Sequence, residues 1–180
     1  MRASPFEYSH IIRTIPDYPK AGIIFRDVTT LFGHEAGFRS AIQALSAPFL
    51  NAGITKVAGI EARGFILGGA VAIELGAGFV PVRKKGKLPY DTIGMDYALE
   101  YGTDRIEVHK DAVEEGEHVL VIDDLIATGG TACAAVELLR TCGAVISSAA
   151  FVVDLPDLGG GRKLAAMGVD SHMLCAFDGD

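Results

Sequence analysis

Two adjacent carboxylates, Asp123 and Asp124, end the apolar run Val119-Leu120-Val121-Ile122. After Leu125 and Ile126 come Ala127-Thr128-Gly129-Gly130-Thr131 and then a helical pattern. A helix N-terminus carries unpaired N–H groups and a partial positive charge. Glycines let such a backbone wrap closely around a phosphate, and threonine hydroxyls add donors. The stretch from Ala127 to Thr131 therefore suits a phosphomonoester. The two acids upstream cannot share that anion, because like charges repel. They suit vicinal hydroxyls, a cation, or a developing positive charge. A ribose bearing a 5-phosphate presents both features at about this distance.

A capped helix start would account for one acid, but not for two acids followed by Thr-Gly-Gly-Thr. No G-x-x-x-x-G-K-[ST] loop occurs, and no G-x-G-x-x-G lies between a strand and a helix, so nucleotide folds of those two kinds are disfavoured. A second charged feature is Arg83-Lys84-Lys85-Gly86-Lys87, with four cations in five residues. Such runs are commonly solvated loops. This one follows a strand end and is flanked by Gly86 and Pro89, which suits a segment that closes over an anion. The third is Glu61-Ala62-Arg63-Gly64, a turn between an apolar strand and an apolar helix.

These segments need a scaffold that holds them at one edge. Phe38, Ile42, Leu45 and Phe49 recur at helical spacing between His34 and Asn51. Val57 to Ile60 reads as a short buried strand, Phe65 to Leu75 as a helix apolar nearly all round, and Gly78 to Val82 as the next strand. Tyr97–Glu100 and Arg105–His109 read as a ribbon. His118 to Asp123 is the strongest strand, Thr131 to Cys142 a helix, and Val145 to Val153 a strand. A short helix over 162–167 and a strand from His172 to Phe177 complete the chain. Strands alternating with helices predict an α/β fold, a central mostly parallel sheet flanked by helices. Ligands bind such sheets beyond the carboxyl ends of the strands, where all three charged segments fall.

The chain has 180 residues, 16 Lys and Arg against 23 Asp and Glu, and a net charge of −7. Its length suits a single domain spanning 1–180. The acidic balance argues against nucleic acid or an anionic membrane as a partner. No stretch approaches the roughly 18 apolar residues of a membrane span, and the first residues lack the apolar core of a signal peptide. The three cysteines, Cys133, Cys142 and Cys175, show no paired spacing. A cytoplasmic location is expected. The five histidines do not pair at metal spacing, and covalent catalysis is not suggested.

The run from Val119 to Thr131 resembles the phosphoribosyl pyrophosphate signature of the type I phosphoribosyltransferases. Four further blocks resemble the adenine-using branch of that family: Pro16-Asp17-Tyr18-Pro19 with Gly22 to Asp27, Gly59 to Phe65, Arg83 to Pro89, and Leu99-Glu100-Tyr101-Gly102. The blocks stand in the family's order and cover most of the chain to about residue 140. The resemblance implies a type I phosphoribosyltransferase fold with an N-terminal base-binding hood over 1–33 and a flexible lid and ribbon over 83–102. It implies purine salvage: transfer of the phosphoribosyl group from phosphoribosyl pyrophosphate to adenine, giving AMP and pyrophosphate through an oxocarbenium-like transition state.

By the same resemblance, Asp123 and Asp124 hold the ribose hydroxyls and Ala127, Thr128, Gly129, Gly130 and Thr131 cradle the 5-phosphate. Glu61, Ala62, Arg63 and Gly64 form a pyrophosphate loop, with a cis peptide between Glu61 and Ala62. Many relatives carry Asp-Ser before the arginine, so this turn lacks one hydroxyl. Arg83, Lys84 and Lys87 meet pyrophosphate, and the lid carries Arg83, Lys85, Gly86, Lys87 and Tyr90. Glu100 handles a proton on the purine. Phe25 and Leu125 sandwich adenine, while Ile24 and Arg26 read its edge through their backbone. Mg2+ is implied as a passenger on the pyrophosphate substrate with no direct protein ligand, and the chain as a homodimer. A transferase for hypoxanthine, guanine or xanthine is the nearest alternative. A regulatory protein that senses the sugar pyrophosphate and binds nucleic acid is disfavoured by the charge.

Overall fold

The computed structural model describes residues 6–98 and 102–179. A short helix α1 (Tyr8–Ile11) leads to strands β1 (Arg13–Ile15) and β2 (Phe25–Asp27), which pair antiparallel as a separate two-stranded sheet. Helices α2 (Thr29–Phe32) and α3 (Glu35–Ser46) follow. The Nδ1 of His34 accepts the Gly37 N–H at 3.0 Å and caps α3. Next come β3 (Lys56–Ile60), α4 (Arg63–Leu75) and β4 (Gly78–Lys84), then the ribbon of β5 (Thr92–Ala98) and β6 (Thr103–His109). The chain ends with β7 (Val119–Ile126), α5 (Gly130–Thr141), β8 (Ser148–Asp154), α6 (Gly160–Ala166) and β9 (Asp170–Ala176).

Strands β5-β6-β4-β3-β7-β8-β9 form one seven-stranded sheet in that order. The five strands from β4 to β9 run parallel, and β5 and β6 are antiparallel additions at one edge. Alternate residues of each strand serve opposite faces. Val119, Val121 and Phe151 pack with α5 and α6, whereas Leu120, Ile122 and Val152 pack with α3 and α4. Helices thus cover both faces, which is why the central strands read as near-continuous apolar runs. Chain order reverses between β3 and β7, the position where an open parallel sheet leaves a crevice at its carboxyl edge.

Four of the boundaries that differ from the sequence reading bear on the site. The helix after β3 starts at Arg63 rather than Phe65, and one side of it faces solvent: Ile66 is 49% and Ile73 84% exposed. Strand β7 continues to Ile126 rather than stopping at Asp123, so both acids lie within the strand. Cross-strand pairing with β8 through Val153 and Asp154 carries it on. Strand β4 runs to Lys84, so Arg83 and Lys84 belong to the sheet and not to a free loop. The ribbon begins at Thr92, inside the segment read as lid.

Candidate active site

The turn Glu61-Ala62 leaves β3 through a cis peptide, as the resemblance implied, and α4 starts immediately at Arg63. Gly64 lets that helix end abut β7. A Cβ there would lie 2.8 Å from the Ile122 carbonyl and 2.9 Å from Asp123 Oδ1. The close approach delivers Arg63 to the paired acids. Its Nε donates to Asp124 Oδ2 at 2.6 Å. Asp124 is 4% exposed, so this ion pair is largely shielded on the carboxylate side. Burial alone would lower the Arg63 pKa, but the attraction and hydrogen bond of Asp124, with Asp123 and Asp27 beyond it, raise it.

Asp123 projects from the other side of β7 and remains partly accessible. The Asp124 N–H donates to its Oδ1 at 2.9 Å. Burial pushes its carboxyl well above the usual range, and the Asp124 charge adds to the effect against the pull of Arg63. One acid is therefore paired with a guanidinium, and the other accepts the neighbouring backbone N–H. That asymmetry follows from strand alternation, which sends neighbouring side chains in opposite directions.

Beyond β7 the chain folds into a cavity of about 130 Å³ lined by Asp123 and by Leu125 to Ala132. Gly129 adopts φ +76°, and α5 begins at the next residue. The predicted phosphate segment Ala127–Thr131 is thus brought together around one small hollow at a helix start. It is buttressed by the start of α6, where the Gly160 N–H donates to the Ala127 carbonyl at 2.9 Å. A Cβ on Gly129 would lie 2.8 Å from Gly160 Cα.

A second cavity of about 510 Å³ is lined by Ala21 to Arg26, Arg63, Leu125, Ala127, Leu155 and Leu158. Leu125 and Ala127 line both cavities, so the two are neighbours across this short stretch. The predicted base-binding residues Ile24, Phe25, Arg26 and Leu125 all meet here. The Arg63 guanidinium lies 5.9 Å from the Phe25 ring centre. The Arg26 side chain turns away toward the body of the protein: its Nη1 donates to Thr14 Oγ1 at 2.6 Å and its guanidinium sits 4.1 Å from the Phe177 ring. That leaves its backbone at the pocket wall.

Sequence reasoning missed Leu155, Leu158, Gly160 and Phe177, all in the C-terminal third. Leu155-Pro156-Asp157-Leu158 directly follows β8, and position at a strand end was the available signal.

The predicted lid cations divide. Arg83 reaches Glu61 through Nε at 3.3 Å and Nη2 at 3.4 Å, and the Lys84 N–H donates to Glu61 Oε2 at 3.0 Å. Burial would raise the Glu61 pKa, but these donors and charges hold it below the ordinary value. The Glu61 carboxylate therefore braces the end of β4. The Lys84 Nζ lies 2.6 Å from Asp104 Oδ2. Lys85 and Lys87 are exposed on the turn, and Tyr90 is 68% exposed. The Gly86 N–H donates to Glu107 Oε2 at 2.9 Å. Tyr97 on β5 donates to Asp104 Oδ2 at 3.2 Å, and a Cβ on Gly130 would lie 3.2 Å from the Ala98 carbonyl, so the ribbon abuts the start of α5. Glu100 lies outside the described residues.

The sequence matches the family model described as phosphoribosyl transferase domain over residues 29–169. It is 63% identical over 168 residues to the adenine phosphoribosyltransferase of Neorhizobium galegae, with 93% of each chain covered. The fold superposes on the crystal structure of adenine phosphoribosyltransferase from Rhodothermus marinus DSM 4252 with a TM-score of 0.88 and 52% identity, covering 93% of this chain and 95% of that one. It also superposes on the Saccharomyces cerevisiae enzyme complexed with an imino-altritol bisphosphate and adenine, with a TM-score of 0.87 and 38% identity, covering 94% and 97%. A parallel sheet with two adjoining cavities at its crevice, and a sequence this close to named relatives, converge on one conclusion: the chain belongs to the adenine phosphoribosyltransferases of the type I phosphoribosyltransferase family.

Proposed function

We propose that this chain transfers the 5-phosphoribosyl group from phosphoribosyl pyrophosphate to adenine, releasing pyrophosphate and forming AMP. The observation that carries the reading is the pair of neighbouring cavities that share Leu125 and Ala127, one about 130 Å³ at a glycine-rich helix start with Asp123 in its wall, the other about 510 Å³, largely apolar, with Arg63 in its wall. The yeast relative is described with adenine and an imino-sugar bisphosphate, a pair that suits two such cavities.

In this reading the 5-phosphate rests on Ala127–Thr131 and the ribose hydroxyls meet Asp123 and Asp124. The bond between the anomeric carbon and the pyrophosphate oxygen breaks as positive charge grows on the sugar, and the two carboxylates stabilise that charge. Arg63 then turns from Asp124 toward the departing pyrophosphate, with Lys85 and Lys87 closing from the turn. The purine N9 bonds to the anomeric carbon and its proton leaves to a base, the role given to Glu100. Phe25 and Leu125 stack on adenine. Backbone N–H and C=O groups of Ile24 and Arg26 match its N1 acceptor and 6-amino donor, a pattern that a 6-oxo purine reverses. Asp123 and Asp124 are the hard oxygen donors beside the expected sugar that would favour a pyrophosphate-borne Mg2+. When bound, the ion neutralises leaving-group charge.

A spectrophotometric assay with adenine, phosphoribosyl pyrophosphate and Mg2+ tests the reading. AMP formation is expected, with hypoxanthine a poor substrate; faster turnover of hypoxanthine would overturn it. The reading extends to a homodimer and a cytoplasmic location. Exposed Ile66, Ile73 and Phe79 on α4 and β4 offer an apolar surface for a second copy. Light scattering of the wild type and of Ile73→Glu, expected to weaken the dimer, tests that part. Among the described residues no helix is long and apolar enough to cross a membrane.

A further inference from the structure

We infer that Lys163, on α6, is a positioning residue for the 5-phosphate, acting through the carbonyl of Thr128 and supplying the positive charge that the phosphate hollow lacks. The inference rests on the phosphoribosyl reading of the site. The described lining of the 130 Å³ cavity runs from Leu125 to Ala132 with Asp123, and contains an acid but no Lys or Arg. A phosphomonoester brings close to two negative charges at neutral pH. Backbone N–H groups and the partial charge of a helix start offset only part of that.

Lys163 stands behind the loop, and its Nζ donates to the Thr128 carbonyl oxygen at 2.8 Å. A carbonyl held outward by an ammonium group leaves the following N–H groups free to point into the hollow. The Lys163 charge also reaches the first turn of α5, where it opposes the effect of burial on the Cys133 thiol. The position of Lys163 is itself fixed. The Gly160 N–H donates to the Ala127 carbonyl, and Gly160 packs against Gly129 so closely that neither position has room for a side chain. The start of α6 is therefore locked to the loop, and a lysine one turn further along reaches back across it. The ammonium is exposed, so it contributes to binding while adding little to folding stability.

The test compares wild type, Lys163→Met, Lys163→Gln and Lys163→Arg. Calorimetric titration with ribose 5-phosphate reads the phosphate site without turnover, so it remains decisive even if the enzyme proves not to use adenine. Ribose 5-phosphate is expected to bind K163M and K163Q about tenfold more weakly than wild type, with K163R close to wild type. In turnover, K163M is expected to raise the KM for phosphoribosyl pyrophosphate by about the same factor, with kcat and the adenine KM within about twofold. Far-UV circular dichroism and a melting curve confirm the fold of each variant, and K163Q serves if K163M does not fold. Ribose 5-phosphate affinity within about threefold of wild type in the folded neutral variant overturns the inference, as does an equal rise in both KM values, or K163R behaving like K163M. A wild type that binds ribose 5-phosphate but forms no AMP would instead sink the functional reading and leave the Lys163 comparison standing.

Discussion

Arg63 and Asp124 form a 2.6 Å ion pair between the first residue of α4 and the middle of the site strand β7, with the carboxylate almost fully buried and the guanidinium half in solvent. The pair links the crevice walls at the point where chain order reverses. Removing the cation strands a buried anion. Arg63→Met is expected to lower stability by about 1–3 kcal/mol, a range reduced because the arginine is partly solvated. The same variant should raise the KM for phosphoribosyl pyrophosphate. Chemical denaturation reads the first effect and steady-state kinetics the second; an unchanged denaturation midpoint would mean that Asp124 is solvated in the folded protein.

Asp123 and Asp124 are the anions nearest the expected sugar. Replacing both with asparagine keeps their shape and removes their charge. Turnover is expected to fall by about 10²–10³-fold or more while the fold persists. Near-normal kcat in the double variant would take the acids out of the mechanism.

The pH dependence of stability isolates Asp123. Burial, with Asp124 beside it, raises its carboxyl well above 3.8, so the folded chain holds this proton more tightly than the unfolded one. Its contribution favours folding below the ordinary carboxylate value and is lost as pH rises through the raised one. Asp123→Asn removes that penalty. Its Tm should exceed the wild-type value at pH 8, and the gap should shrink as pH falls toward the ordinary carboxylate range. A gap independent of pH would point to a cause other than ionisation.

Phe25 lines the larger cavity beside Arg63. Stacking a base on an aromatic ring contributes about 1–3 kcal/mol. Phe25→Ala should therefore raise the adenine KM by roughly tenfold or more and leave the KM for the sugar substrate near wild type. Equal changes in both values would show that the ring supports the whole crevice rather than the base.

At Gly129 both backbone and space demand glycine: φ is +76°, and a Cβ would lie 2.8 Å from Gly160 Cα. Gly129→Ala is expected to cost about 1–3 kcal/mol of stability. It should also weaken ribose 5-phosphate binding, measured by calorimetry. Wild-type affinity in that variant would show that the loop need not keep its present shape to hold phosphate.

The amino-acid sequence by itself determined the order of strands and helices from α3 onward, the mostly parallel sheet, and the residues around which the small hollow after β7 forms. Those features are local: an apolar strand, two acids, a glycine turn and a helix start are contiguous from Val119 to Thr141. That Phe25 and Leu125 line one cavity was legible only through the family resemblance, since 100 residues of chain separate them. Tertiary structure alone decided how the charges are partnered. Arg83, Lys84 and Glu61 read as ligands of one anion, yet Glu61 neutralises Arg83 and Asp104 neutralises Lys84 because the β3-β4-β6 pairing brings them side by side. Tertiary structure also recruited the C-terminal third, where Leu155, Gly160, Lys163 and Phe177 carry no motif. β8, α6 and β9 place Leu155 on the larger cavity, Gly160 and Lys163 against the loop after β7, and Phe177 beside the Arg26 guanidinium. Such roles depend on contacts between residues far apart in the chain, and local composition holds no record of them.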